Sequence, residues 1–254
     1  MENKLISVND DIIKDISTKL IEYLDFKDSI FENEFVESFG DSFKVVKLLK
    51  SGHDLIAQRK LKAFLNGFCY DNTPTEEQLL KLYKYINNEK KAEFIADMFS
   101  KVLMSNSKLA CMIMGMMIND LTENNKDINH SQLICANALV SFFDDDVKNY
   151  YKIIDFMYEN MKEKLIEEYK GFYQGHRFYS YCKNNKMDTN SMNMTLYKSI
   201  SYQLFLTNYE VDVDVDVDED FYASTDVNPS TYISLTTAGE LFFEYINKIS
   251  SCLE

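Results

Sequence analysis

A mostly α-helical protein, a helical bundle or short solenoid-like array closed by a small C-terminal α+β module, is the fold class that three observations predict. Apolar residues recur at spacings of three and four over most of the first 170 positions, the period of helices with one buried face. Turn formers are scarce, with 7 glycines and 2 prolines in 254 residues, against average usage of about 7% and 5%. Sandwiches and barrels need many tight turns, and α/β enzymes need glycine at βα loops and phosphate cradles, so both are poorly served. Period-two patterning appears only late, after Asn208, and strand is expected there alone. The 46% of hydrophobic residues is enough to build a core, which sets the chain apart from disordered sequences.

Asn9 or Asp10 can cap a first helix carrying Ile12, Ile13, Ile16, Leu20, Ile21 and Leu24. A second pattern runs from Ser29 to Ser38 and breaks at Gly40. Asp41 then opens a long stretch through Phe43, Val46, Leu49, Ile56, Leu61 and Leu65 to Gly67. Thr73-Pro74-Thr75-Glu76 combines a cap hydroxyl, a first-turn proline and a third-position glutamate, and predicts a helix to Ile86. Asn88 opens the next helix, with Ala92, Ile95, Met98, Phe99 and Val102 on its stripe. Ser105 or Asn106 can cap Leu109–Leu121, a segment apolar all round and therefore predicted to sit at a bundle centre. Its methionines, Met112, Met114, Met116 and Met117, read as adaptable core filling. A helix over Ser131–Phe143 follows. Asp144-Asp145-Asp146 then supplies cap and charge for a long helix to Tyr169.

After Gly171 the texture changes. An aromatic, glycine-bearing stretch to Cys182 precedes a polar run, and a helix is predicted over Thr195–Asn208. Val211 to Asp218 alternates strictly between valine and aspartate, Thr225–Ser230 reads as a turn, Tyr232–Thr236 as a strand and Ala238–Ile249 as a helix. Helix, strand, loop, strand and helix in that order resembles half of a winged-helix domain. The expected organisation is a helical body over 1–170, an aromatic and polar connector over 171–194, and a winged-helix-like module with an acidic hairpin over 195–254.

Charge is unevenly distributed. The net charge is -14, and the last 54 residues hold eleven carboxylates against a single lysine, Lys248. Such a field repels nucleic acid and anionic lipid and attracts basic protein surfaces. Arg59 and Arg177 are the only arginines, which argues further against reading of DNA bases. Five cysteines, an odd number with no C-x-x-C pair and mostly apolar neighbours, point to reduced thiols and a cytoplasmic protein. The opening Met-Glu-Asn-Lys-Leu-Ile lacks the basic and apolar regions of a signal peptide. The longest apolar run, Leu109–Ile118, is about half a membrane span.

Catalytic and metal signatures are missing from the sequence. His53, His130 and His176 are far apart, no H-E-x-x-H or nucleophile elbow occurs, and no Cys/His set has zinc spacing. No cofactor is expected. The aspartates from Asp212 resemble a calcium loop only superficially, since Val217 and Ala223 stand where glycine and a bidentate glutamate are required. The candidate partner-binding residues are Asp212, Asp214, Asp216, Asp218, Glu219 and Asp220; a soluble edge strand explains them as well. Tyr173, His176, Arg177 and Tyr179 form a second candidate, either a stacking anion site or an inter-domain joint.

Ala57-Gln-Arg-Lys-Leu-Lys-Ala-Phe-Leu-Asn-Gly67, then Lys-Lys-Ala-Glu-Phe-Ile-Ala-Asp-Met-Phe99, and finally Leu235-Thr-Thr-Ala-Gly239 carry a family resemblance. In these segments the chain resembles uncharacterised bacterial and prophage proteins of the abortive-infection-like type, which pair a helical body with a C-terminal winged-helix-like segment. That resemblance implies a role in phage–host conflict and transfers no site residues. The expected function is a non-enzymatic cytoplasmic interaction module that binds a basic protein surface through its acidic hairpin. Nucleic acid is an unfavourable partner, no membrane is expected, and a homo-oligomer is compatible. A winged-helix transcriptional regulator and an enzyme with an unrecognised site stay open as alternatives.

Overall fold

In a computed structural model of the protein, the described residues are 55–69, 76–86, 88–163, 171–173, 176–217 and 223–250. The helices expected before Leu55, His53 and the Thr73-Pro74 start lie outside them. The described residues are mostly helical, in the order α1 (Leu55–Cys69), α2 (Glu76–Tyr85), α3 (Glu89–Met104), α4 (Lys108–Glu123), α5 (His130–Ser141), α6 (Asp144–Glu163), β1 (Gly171–Tyr173), α7 (His176–Asn184), α8 (Thr189–Ser201), β2 (Phe205–Val217), β3 (Ala223–Leu235) and α9 (Thr237–Lys248). The chain divides into two compact units, Met1–Val147 and Lys148–Glu254.

In the first unit α4 is the central helix, packing against α1, α2, α3 and α5. Its residues Ala110, Cys111, Ile113, Met114, Met117 and Leu121 are fully buried, as an all-round apolar helix requires. The α1–α4 contact is unusually close. A Cβ added at Gly67 would overlap the Met112 carbonyl, and one at Gly115 would overlap the Phe64 carbonyl and crowd the Phe68 amide. Two glycines therefore let backbone meet backbone, a position where any other residue would force the helices apart.

Caps fix the helix starts. The Asn88 side chain accepts the Lys91 amide at 2.9 Å, as expected for α3. The cap of α4 is Ser107 and not Ser105 or Asn106: its Oγ accepts the Ala110 amide at 2.9 Å. Ser105 is instead fully buried. Asn129 and Gln132 form a reciprocal capping box on α5. Asp144, expected to cap its own helix, accepts the Ser107 hydroxyl at 2.5 Å and the Leu109 amide at 3.1 Å, so it serves the N-terminus of α4. Asp146 takes the local role, accepting the Phe143 amide at 2.9 Å.

The second unit departs further from the sequence expectation. The connector contains strand β1 and helix α7, and α8 spans Thr189–Ser201 where Thr195–Asn208 was expected. Strand is not confined to the region after Asn208, because β1 and the first residues of β2 precede it. Thr225–Ser230, expected as a turn, lies inside β3. The sheet order is β1-β3-β2, antiparallel throughout. Pro229 is tolerated because β1 pairs only with Tyr232–Ser234, which leaves that side of β3 open at residue 229 among the described residues.

The core of this unit is aromatic. Tyr150 lies 4.9 Å from Phe242 edge-to-face and 5.2 Å from Phe205, and its hydroxyl donates to the Gly239 carbonyl at 3.0 Å. Phe156 meets Phe178 and Tyr181 at 5.3 and 4.8 Å. Thr236 caps α9 by accepting the Gly239 amide at 2.9 Å, and its hydroxyl donates to the Gln203 carbonyl at 2.8 Å. A Cβ at Gly239 would overlap the Leu204 carbonyl. The Leu235-Thr-Thr-Ala-Gly239 segment thus has a physical reason for its threonine and its glycine.

Three of the described helices end in a left-handed residue other than glycine. Asn125, Lys186 and Gln203 occupy the left-handed region, with φ of 44°, 54° and 60°. Each is followed by the paired backbone bonds of a Schellman turn: Lys126 to Leu121, Met187 to Cys182 and Leu204 to Ser199. The last of these turns redirects the chain from α8 into β2.

Candidate functional site

β2 forms because valine alternates with polar residues, the pattern of a pleated strand with two unlike faces. It pairs with β3 without interruption from Phe205↔Leu235 to Val217↔Ala223. On one face the register sets Val211, Val213, Val215 and Val217 opposite Pro229, Val227, Thr225 and Ala223. On the other, Glu210, Asp212, Asp214 and Asp216 stand opposite Ser230, Asn228, Asp226 and Ser224. The hairpin is therefore an amphipathic ribbon with an apolar face and an acidic face. Asp214 and Asp226 are direct cross-strand partners, a like-charge pairing that weakens a ribbon left to itself.

Of the expected partner-binding residues, Asp212, Asp214 and Asp216 lie in β2, and Asp218, Glu219 and Asp220 lie outside the described residues. Asp226 is an acidic position that the turn assignment concealed. The signal for it was present, because Thr225, Val227 and Pro229 continue the odd-numbered pattern while Asp226, Asn228 and Ser230 continue the even-numbered one.

The second candidate group is placed elsewhere. Tyr173 ends β1 opposite Tyr232, His176 and Arg177 open α7, and Tyr179 is 56% exposed on that helix. Tyr232 is four residues along β3 from Asn228, the partner of Asp212, or about 13 Å at strand rise. The register keeps Tyr173 away from the aspartates and does not join the two groups into one site.

α7 and α8 form a helix–turn–helix ahead of the ribbon. The exposed stripe of α8 carries Asn190, Met194, Tyr197 and Ser201, none of them basic, and Lys198 is half-buried. Met194 and Tyr197 are 69% and 59% exposed, and Leu206 and Tyr209 at the base of β2 are 52% and 74% exposed.

Elsewhere, the shifted titratable groups are moved away from neutrality. Burial pushes the Cys111 thiol up to about 11 and Cys135 up to about 12, and raises Cys182. Burial, with Asp127 nearby, pushes Tyr85 up to about 12. Groups protonated so firmly are poor nucleophiles near neutral pH. Lys91 is buried over the Tyr85 ring at 4.3 Å and lies 3.9 Å from Asp127, an arrangement that tethers the loop after α4. Among the described residues no group of three or more His, Cys, Asp or Glu is placed to hold a metal ion, and no helix is long and apolar enough to cross a membrane. Comparison with family models, curated proteins and solved structures finds no match to the chain.

Proposed function

We propose that the protein is a non-enzymatic interaction module of the cytoplasm, whose second unit is winged-helix-like and whose acidic hairpin binds a basic protein surface. The observation that carries this reading is the β2–β3 register, which lines Asp212, Asp214 and Asp216 along one face with Asp226 across from Asp214. Support for the winged-helix comparison comes from the order α6, β1, α7, α8, β2, β3, α9 and the sheet order β1-β3-β2. A DNA-binding wing would place lysine or arginine beside phosphate; here the ribbon carries aspartate. A role in phage–host conflict follows only from the resemblance of the helical body and of Leu235–Gly239 to abortive-infection-like proteins.

The α7–α8 arrangement favours one competing reading, a transcriptional regulator, and charge separates the two. The test uses the full chain against a lysine-rich peptide and against duplex DNA of about 20 base pairs, at about 150 mM salt. The wild type binds the peptide, and binding weakens as salt rises. Changing Asp212, Asp214, Asp216 and Asp218 to Asn weakens it at least about tenfold, equivalent to about 1.4 kcal/mol. A control with Glu77, Glu93, Asp155 and Glu244, all exposed, neutralised instead has the same net charge and retains binding. Equal binding by the hairpin variant overturns the proposal, and duplex binding by the wild type transfers the case to the regulator.

A further inference from the structure

We propose that β2 is a docking edge for an extended partner segment in which lysine alternates with apolar residues, added as a further strand beside β2. The inference rests on the acidic-hairpin reading and specifies how that hairpin recognises its partner.

The sheet order β1-β3-β2 makes β2 terminal, and among the described residues no strand pairs with its outer side. Its 13 residues offer an edge of about 43 Å at strand rise, with every second residue presenting its N–H and C=O outward. Edges of this length are normally blunted by charged side chains, lysine above all, or by proline, a bulge or a covering element. Here the charges are all carboxylates, Glu210, Asp212, Asp214 and Asp216, which oppose a like-charged strand and not a basic one. β2 contains no lysine and no proline, and its register with β3 is unbroken. β1 reaches only Tyr232–Ser234, so from Tyr209 to Val217 the sheet is a two-stranded ribbon. Two strands alone are marginal in water, and a third with an apolar face adds stability. The edge is thus long, regular and short of one strand.

The faces select the occupant. A strand beside β2 sets alternate residues next to Asp212, Asp214 and Asp216 and the intervening residues next to Val211, Val213 and Val215. Basic residues suit the first set and apolar residues the second, at period two. A second copy of this chain is disfavoured, because pairing β2 with β2 brings aspartate beside aspartate. The same carboxylates that discourage self-pairing favour a lysine-bearing strand, so one feature excludes the copy and selects the partner. Nucleic acid brings phosphate to that face and is repelled.

Four peptides of about nine residues test this on the full chain: alternating Lys-Val, the same composition in two blocks, and the alternating sequence N-methylated at every second residue in one phase or the other. All carry the same charge, and the methylated pair loses backbone donors on one edge or the other. The alternating peptide should bind at least about tenfold tighter than the block peptide and than one methylated phase, and should slow amide exchange in β2 but not in β3. If all the peptides bind alike, attraction is by charge alone: strand addition is wrong and the acidic-hairpin reading survives. If none binds even at low salt, both fall. If β2 amides are already protected in the peptide-free protein and deprotected on dilution, a second copy occupies the edge and the proposal is overturned.

Discussion

The α1–α4 pair and the Tyr150 cluster solve the same problem by opposite means. In the first unit two helices meet through backbone, with Gly67 and Gly115 removing the side chains that would hold them apart. In the second, the rings of Tyr150, Phe205 and Phe242 fill the space, and one hydroxyl ties them to the start of α9. A chain with seven glycines has placed three of them, Gly67, Gly115 and Gly239, inside helices, where each costs about 1 kcal/mol relative to alanine. The left-handed helix ends that normally take glycine are occupied by Asn125, Lys186 and Gln203. At Gly67, Gly115 and Gly239 close approach, and not backbone freedom, is what calls for glycine.

The comparison breaks most readily at Gly115. The three atoms nearest an added methyl there are all backbone, which cannot rotate away, so Gly115→Ala should destabilise the protein by about 3 kcal/mol. Gly67→Ala should behave alike. Gly239→Ala meets a backbone atom as well, the Leu204 carbonyl, but its next two atoms, Leu235 Cδ1 and Tyr150 Oη, belong to side chains, so its cost should be somewhat smaller. Urea unfolding of the three variants ranks them; equal costs would mean that the Leu204 carbonyl alone makes Gly239 as strict a position as Gly67 and Gly115.

A smaller effect separates ring packing from hydrogen bonding in the second unit. Tyr150→Phe keeps the ring contacts to Phe205 and Phe242 and removes the bond to the Gly239 carbonyl, for an expected loss of about 1 kcal/mol. An unchanged urea midpoint would assign the cluster's stability to the rings alone.

The smallest effect runs in the stabilising direction. Gln203 and Lys186 are exposed and left-handed, so Gln203→Gly and Lys186→Gly should each raise stability by about 0.5–1 kcal/mol. A loss in thermal denaturation would show that these side chains hold contacts that outweigh backbone strain.

These helix ends also explain what was legible in the sequence. α3 and α9 are readable because Asn88 and Thr236 are capping types placed directly before apolar stripes. α8 is shifted because Gln203, an unexpected residue for a left-handed stop, conceals its end, while Thr195 and Ser199 supply polar members of its buried face. α7 is missed because only Phe178 and Cys182, one helical turn apart, mark its buried side amid tyrosines. Of the candidate site, the Val-Asp alternation predicts β2 directly. Its partner is hidden, since Asp226, Asn228 and Pro229 are turn formers whose strand conformation follows from pairing and not from local preference. No local pattern links Gly171–Tyr173 to Tyr232–Ser234, and β1 emerges only from the fold.

The buried thiols have a use beyond filling space. Cys111 and Cys135 in the first unit and Cys182 in the second are wholly shielded, and their ionisation is pushed upward by that shielding. A maleimide at neutral pH therefore reaches each one only while its surroundings are transiently open, and the rate of mass gain becomes a clock for that opening. Because the clocks are divided between the units, peptide-resolved labelling of one unmodified sample times the breathing of each unit separately, with no probe added to the chain.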